Sequence, residues 1–244
     1  MSNKLRLDQL VNELLPVYSK TQIQSYIMQG KVKVNGMVST KPGQAFATDV
    51  KIECDIQEQK YVSRAGFKLE KALDEFKIDV AGLTIMDAGL STGGFTDCML
   101  QRGAAKIYGV DVGYGQVHEK IRAHPQVVVM EQTNLRNLRN LGEKVDLITL
   151  DLSFISVLKN MDAVDAVLKD DGKLVVLIKP QFEARKEDVG RGGIIKDPKV
   201  HQEASDRVVA GITQHGYQLQ GIIDSPILGT SGNKEFLAYF IRKI

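Results

Sequence analysis

Chemistry is densest in Asp87-Ala-Gly-Leu-Ser-Thr-Gly-Gly-Phe-Thr-Asp97, where an acid precedes three glycines. Gly89, Gly93 and Gly94 permit positive φ angles and close approach of a ligand to the backbone. Their spacing, G-x-x-x-G-G, is not the dinucleotide fingerprint, and no phosphate-binding lysine accompanies it, so neither a pyrophosphate site nor a P-loop fits. Asp87, two residues before the first glycine, suits the ammonium group of a methionine moiety, with Ser91 in the same loop. Asp111 follows about 20 residues on, where an acid can hold ribose hydroxyls. In Gln132-Thr133-Asn134-Leu135, Asn134 stands where an adenine edge could be bound. Together these residues predict a site for S-adenosylmethionine. The competing reading is a nucleotide-free fold whose glycines serve only turns.

A second cluster, Asp151-Leu-Ser-Phe154, narrows the reaction. Enzymes that methylate exocyclic base amines place an Asn/Asp-Pro-Pro-aromatic turn at such a position, and this turn has no proline. Methylation at cytosine C5 would need a nucleophilic cysteine here. Cys54 and Cys98 lie elsewhere, and Cys98 reads as a small buried apolar residue. Methyl transfer to a hydroxyl remains, with Asp151 bordering both cofactor and acceptor.

The elements that must hold these residues alternate along the chain. Strand-like runs fall at 83–88, 106–112, 127–130, 145–152, 173–179, 217–224 and 235–241. Helical patterns separate them at Thr96–Arg102, His118–Ala123, Ile155–Lys169 and Val200–His215, and Arg64–Phe76 forms a further helix after Ser63. Such alternation predicts an α/β fold, a mostly parallel sheet with helices on both faces. Only a short Gly-rich loop joins the last two strands, so that pair should be antiparallel. Seven strands closed this way are the class I, Rossmann-like methyltransferase arrangement, by analogy of fold.

A composition shift near residues 49–61 predicts a boundary at about residue 60, giving domains 1–60 and 61–244. Ahead of it, RLDQLVNEL and TQIQSYIMQ read as short helices, the second with Ser19 as N-cap. KVKVNGMVS reads as a hairpin around Asn35-Gly36, and VKIEC as one more strand, so this part is a small α+β unit. Residues 1–45 hold six Lys/Arg against two acids, whereas residues 61–244 hold 24 of each. The basic excess would attract a polyanion, or it is simply a solvated face. The chain has 244 residues, 43% hydrophobic and 25% charged, as in ordinary globular proteins. Two cysteines are too few for a disulfide framework, and no leader or membrane-spanning stretch is evident. A cytoplasmic protein, a monomer or weak dimer without stable membrane association, is expected.

SRAGFKLEKAL (63–73), DAGLSTGGFTDCML (87–100), GVDVGYGQ (109–116), LDLSFIS (150–156), LIKPQFEA (177–184), GRGGIIKDP (190–198) and GNKEF (232–236) carry a specific resemblance. The C-terminal part resembles FtsJ-type RNA 2′-O-methyltransferases. The whole chain resembles the TlyA family, hemolysin-like proteins that add a module similar to that of ribosomal protein S-four. The resemblance implies methyl transfer from S-adenosylmethionine to a ribose 2′-hydroxyl, with cytidine in 16S and/or 23S ribosomal RNA as acceptor. Ribosomal RNA or ribosomal subunits become the implied partners. It maps a Lys-Asp-Lys-Glu tetrad onto Lys68, Asp151, Lys179 and Glu235. Lys179 would be the hydroxyl-facing base or orienter, Asp151 would position it, and Lys68 and Glu235 would tune charge. Arg6, Lys20, Lys31 and Lys33 become the RNA-binding candidates. Two departures are Leu90, where alanine is commoner, and Lys20, where arginine is, which loses a forked donor but keeps the charge. The loop from Gln181 to Pro198 reads as an RNA-facing flap or an ordinary mobile surface loop. No metal is expected. The alternatives are a membrane-active hemolysin-like protein and a non-catalytic ribosome-binding factor.

Overall fold

The computed structural model describes residues 4–55, 60–229 and 231–243. The chain divides into two compact units, residues 1–59 and 60–244.

The first unit runs β1 (Lys4–Arg6), α1 (Leu7–Leu14), α2 (Lys20–Met28), β2 (Val32–Val34), β3 (Met37–Val38), β4 (Ala45–Ala47) and β5 (Ile52–Cys54). Ser19 caps α2 as its type predicts: its hydroxyl accepts from Gln22 N, and the Gln22 side chain accepts from Ser19 N. Asn35 and Gly36 both take positive φ, 52° and 80°, which a two-residue hairpin between β2 and β3 requires. The order β3-β2-β5 forms one small sheet, and β1 pairs with β4 separately. That second pair went unread in the sequence because neither strand exceeds three residues. Leu7, Val11, Ile23, Ile27, Val32 and Val34 form the core.

The second unit begins with α3 (Ala65–Glu75), then β6 (Thr84–Ala88), α4 (Gly94–Gln101), β7 (Lys106–Val110), α5 (Glu119–Arg122), β8 (Val127–Met130) and β9 (Val145–Leu150). It continues with α6 (Met161–Val167), β10 (Leu168–Ile178), α7 (Pro180–Glu183), α8 (Pro198–Gln214), β11 (Tyr217–Asp224) and β12 (Phe236–Arg242). The strands form one seven-stranded sheet in the order β11-β12-β10-β9-β6-β7-β8. All neighbours are parallel except those of β12, which inserts antiparallel between β10 and β11. The strands are apolar on both faces because helices cover both. Met86, Ile148, Leu150 and Val176 pack to one side, and Ile85, Leu147, Val175 and Leu177 to the other.

Two readings need correction. The helix expected over Ile155–Lys169 is shorter: a 3₁₀ turn at Val157–Asn160 leads into α6, and Leu168 already belongs to β10. Leu168 pairs with Val145, with a register shift before Lys173, so the Asp-Asp-Gly segment bulges within the strand. The loop from Gln181 to Pro198 is not structureless either. It holds the end of α7 and 3₁₀ turns at Lys186–Asp188 and Arg191–Gly193.

Candidate active site

In an open parallel sheet, ligand sites gather beyond the carboxyl ends of the strands. Two adjoining cavities lie there. One, of about 470 Å³, is lined by Asp111, Gly113, Gln116, Asn134, Leu135 and Phe154 among others. The other, of about 260 Å³, is lined by Lys68, Asp151, Lys179 and Glu235, with Ser63 and Gly94. Gly89, Ser91, Asp151 and Ser153 border both.

Gly89 is what lets the β6 turn pass over the end of β9. Its φ is +89°, and a Cβ there would fall 2.2 Å from the Asp151 carbonyl oxygen. The turn closes with Gly89 N donating to Val110 O. Asp111, just past β7, accepts from Ser91 N and Gly113 N at 2.7 Å each. A carboxylate offers about four lone-pair sites, so acceptor capacity is left on the cavity side. Asn134 caps the turn after β8 by accepting from Arg136 N. Gly93 lines neither cavity; at φ +98° it makes the turn into α4, against Ile121.

Asp87 is a correction. It faces away from both cavities and is fully buried, its two oxygens accepting from Thr96 Oγ1 at 2.6 Å and Thr149 Oγ1 at 2.8 Å. The reason is the pleat. Asp87 is the β6 partner of Thr149 on β9, and cross-strand neighbours point to the same face, here toward α4. Burial raises its pKa to about 6, against the two hydroxyl hydrogen bonds.

The four residues of the second cavity form two ion pairs. Lys68 on α3 and Glu235 before β12 are 2.5 Å apart, with side chains 8% and 3% exposed. Lys179 and Asp151, at the ends of β10 and β9, are 2.6 Å apart, 11% and 15% exposed. Lys179 Nζ also donates to Ser153 Oγ at 2.8 Å. Asp151 Oδ1 is buried, with the Lys179 ammonium as its close partner. Removing charge from water gains little stability by itself; two such pairs beside one cavity have the character of a working site. The larger cavity combines a carboxylate, amides and apolar walls, and none of its lining residues among those described is a lysine or arginine. That donor set fits an adenosyl group with uncharged hydroxyls and does not fit a polyphosphate. Ser153 and Gln116 escaped the sequence reading, although Ser153 sits inside the quoted Asp151–Phe154 cluster.

In the first unit, Lys20, Lys31 and Lys33 are exposed, and none forms an ion pair among the described residues. Arg6 differs. Its guanidinium donates to buried Asp8 at 2.8 and 2.9 Å, while its side chain stays half exposed.

Residues 61–242 match the family described as FtsJ-like methyltransferase, and residues 5–47 match the S4 domain. The Mycobacterium tuberculosis protein named 16S/23S rRNA (cytidine-2′-O)-methyltransferase TlyA is 40% identical over 98% of this chain and 90% of its own length. YqxC of Bacillus subtilis, which carries a provisional rRNA methyltransferase name, is 41% identical over 98% of this chain and 86% of its own. A solved structure from Streptococcus thermophilus, described provisionally as a hemolysin, superposes with a TM-score of 0.76 at 36% identity, covering 100% of this chain and 90% of its own. No helix among the described residues is long and apolar enough to cross a membrane.

Proposed function

This chain belongs to the FtsJ-like methyltransferases that carry an S4 domain, the TlyA family, and from that premise we propose that it methylates a ribose 2′-hydroxyl of cytidine in ribosomal RNA. S-adenosylmethionine, when bound, supplies an electrophilic methyl group. Asp111 holds the ribose hydroxyls of the adenosyl group, Asn134 meets the adenine edge, and Gly89 and Ser91 carry the backbone along it. The convergence of two buried Lys–carboxylate pairs on the adjoining cavity carries the proposal.

A 2′-hydroxyl is a poor nucleophile until its oxygen gains electron density. Lys179, steadied by Ser153 and Asp151, orients the oxygen by donating to it and stabilises the charge that develops there. Asp151, 15% exposed at the cavity, takes up the hydroxyl hydrogen, while its buried Oδ1 stays with Lys179. Lys68 and Glu235 hold the opposite wall and balance its charge. Residues 1–60 dock the RNA through Lys20, Lys31 and Lys33, and a ribosomal substrate puts this work in the cytoplasm.

The test is single-turnover methylation of ribosomal RNA at saturating cofactor, with the modified positions mapped. Methyl groups are expected on cytidine 2′-oxygens. Lys179→Ala should lose about 10²–10³-fold in rate with cofactor affinity unchanged. Full activity in that variant, or methylation of base atoms, overturns the proposal.

A further inference from the structure

Asn233, absent from the tetrad and from both cavities, is 2% exposed in the loop ahead of β12. Both ends of its amide are used. Oδ1 accepts from Ile195 N at 3.0 Å, and Nδ2 donates to Gly193 O at 2.8 Å. Its own carbonyl accepts from Gly229 N at 2.9 Å. Gly229 in turn lies under the Glu235 carboxylate, so closely that a Cβ there would come within 2.5 Å of Oε1. One amide therefore joins two loops: residues 190–196, and residues 225–229 and 231–235, which lead to Glu235 and its pair with Lys68.

The first of these loops is weakly self-supported. Gly192 and Gly193 both take positive φ, 78° and 75°, and its internal hydrogen bonds are Gly190 N to Ile194 O and Gly193 N to Gly190 O. It carries exposed cations, Arg191 and Lys196, with Arg185 and Lys186 just before it, and none of the four is ion-paired among the described residues. The acids on the same segment are Glu187, Asp188 and Asp197, the last accepting from Lys199 N at the start of α8. Unpaired cations on an exposed, glycine-rich loop beside a reaction site suit backbone phosphates, which position a nucleic acid without reading its sequence.

We propose that Asn233 is a positioning residue that couples this loop to the reaction site, so that RNA phosphates held by Arg191 and Lys196 order Glu235 and, through it, Lys68. The proposal rests on the reading of Glu235 given above. Phosphate contacts would then contribute to turnover as well as to affinity. An uncoupled loop would affect affinity alone.

A double-mutant cycle on the full-length chain tests this, with RNA titrated to separate the saturated single-turnover rate from RNA affinity. Asn233→Asp keeps the shape but turns an acceptor toward Gly193 O. It should lower the saturated rate about tenfold or more, as small misplacements of reacting groups do, with cofactor affinity by calorimetry essentially unchanged. Arg191→Ala with Lys196→Ala, two surface changes that leave the core untouched, should also lower the saturated rate. In the Asn233→Asp background the same pair should lower it no further. Independent, multiplying losses overturn the coupling, as does a loop variant that weakens RNA affinity while keeping the full saturated rate. That second arm decides the matter even if Asn233→Asp fails to fold. If the unaltered chain transfers no methyl group to ribosomal RNA, the proposed function fails; a normal enzyme with independent losses sinks the coupling alone.

Discussion

Asp8 in the first unit and Asp87 in the second are both carboxylates removed from water, and their neighbours treat them oppositely. Arg6 grips Asp8 through two nitrogens, and that hydrogen-bonded pairing, helped by Gln24, holds its pKa down at about 2. Asp87 is met by neutral donors from Thr96 and Thr149, and burial lifts its pKa to about 6. The contrast shows how each unit uses its charged residues. In the first, a half-exposed arginine also pins an internal acid, while the lysines face outward without ion pairs among the described residues. In the second, an acid in a cofactor-binding sequence context is consumed by the fold, and the cavities draw on Asp111, Asp151 and Glu235 instead.

Stability against pH is the strongest way to break this comparison. Below about pH 4 Asp87 is protonated whether the chain is folded or not. Between there and about pH 6 the unfolded chain has released the proton while the folded chain retains it, so rising pH removes stability, on the order of 3 kcal/mol by the upper end. Asp8 works the other way: its contribution is present above about pH 4 and is lost as pH falls through about 2. Denaturant melts across this range should flatten between pH 4 and 6 in Asp87→Asn. An unchanged slope would mean that Asp87 is not the buried group described. Asp87→Ala, which strands two hydroxyls, should cost about 2–4 kcal/mol of stability.

Cofactor affinity sharpens the comparison within the second unit. Asp111→Ala should weaken adenosylmethionine binding by about 1.5–3 kcal/mol, roughly ten- to a hundredfold, with a modest change in melting temperature. Asp87→Asn should do the reverse, shifting stability while calorimetry finds nearly the original affinity. Similar affinity losses in both would return Asp87 to the site. The smallest effect belongs to the first unit. Each of Lys20→Ala, Lys31→Ala and Lys33→Ala should reduce the salt slope of RNA binding by about 1, whereas Arg6→Ala should act mainly through stability. A larger slope change from Arg6→Ala than from the lysines would show that Asp8 yields its partner to RNA.

The sheet was legible because long apolar runs bounded by glycines admit few alternatives. Its strand ends were legible too, which is why Asp111, Asn134, Asp151 and Lys179 stand at the cavities. What a linear pattern conceals is the direction of a side chain within a strand. Asp87 was read from its distance to Gly89, but the pleat, set by register against Thr149, aims it at α4. Arg6 was hidden for a related reason, since no spacing rule announces that Asp8 would be buried beneath it. Asn233 gave no signal at all, because its significance comes from Gly193 and Ile195, some 40 residues away in the chain.

The missing side chain at Gly89 has a further consequence, for engineering. Its backbone passes over the Asp151 carbonyl where no methyl group would fit. The wall of the larger cavity and the carboxylate of the smaller one thus share a single hinge pin. Reshaping the larger cavity would drag Asp151 with it, so under the proposed roles selectivity for the donor and speed toward the acceptor should trade against each other. Libraries that vary the two cavities separately would miss such pairs, and variation of positions 89–91 together with 151–153 would reach them.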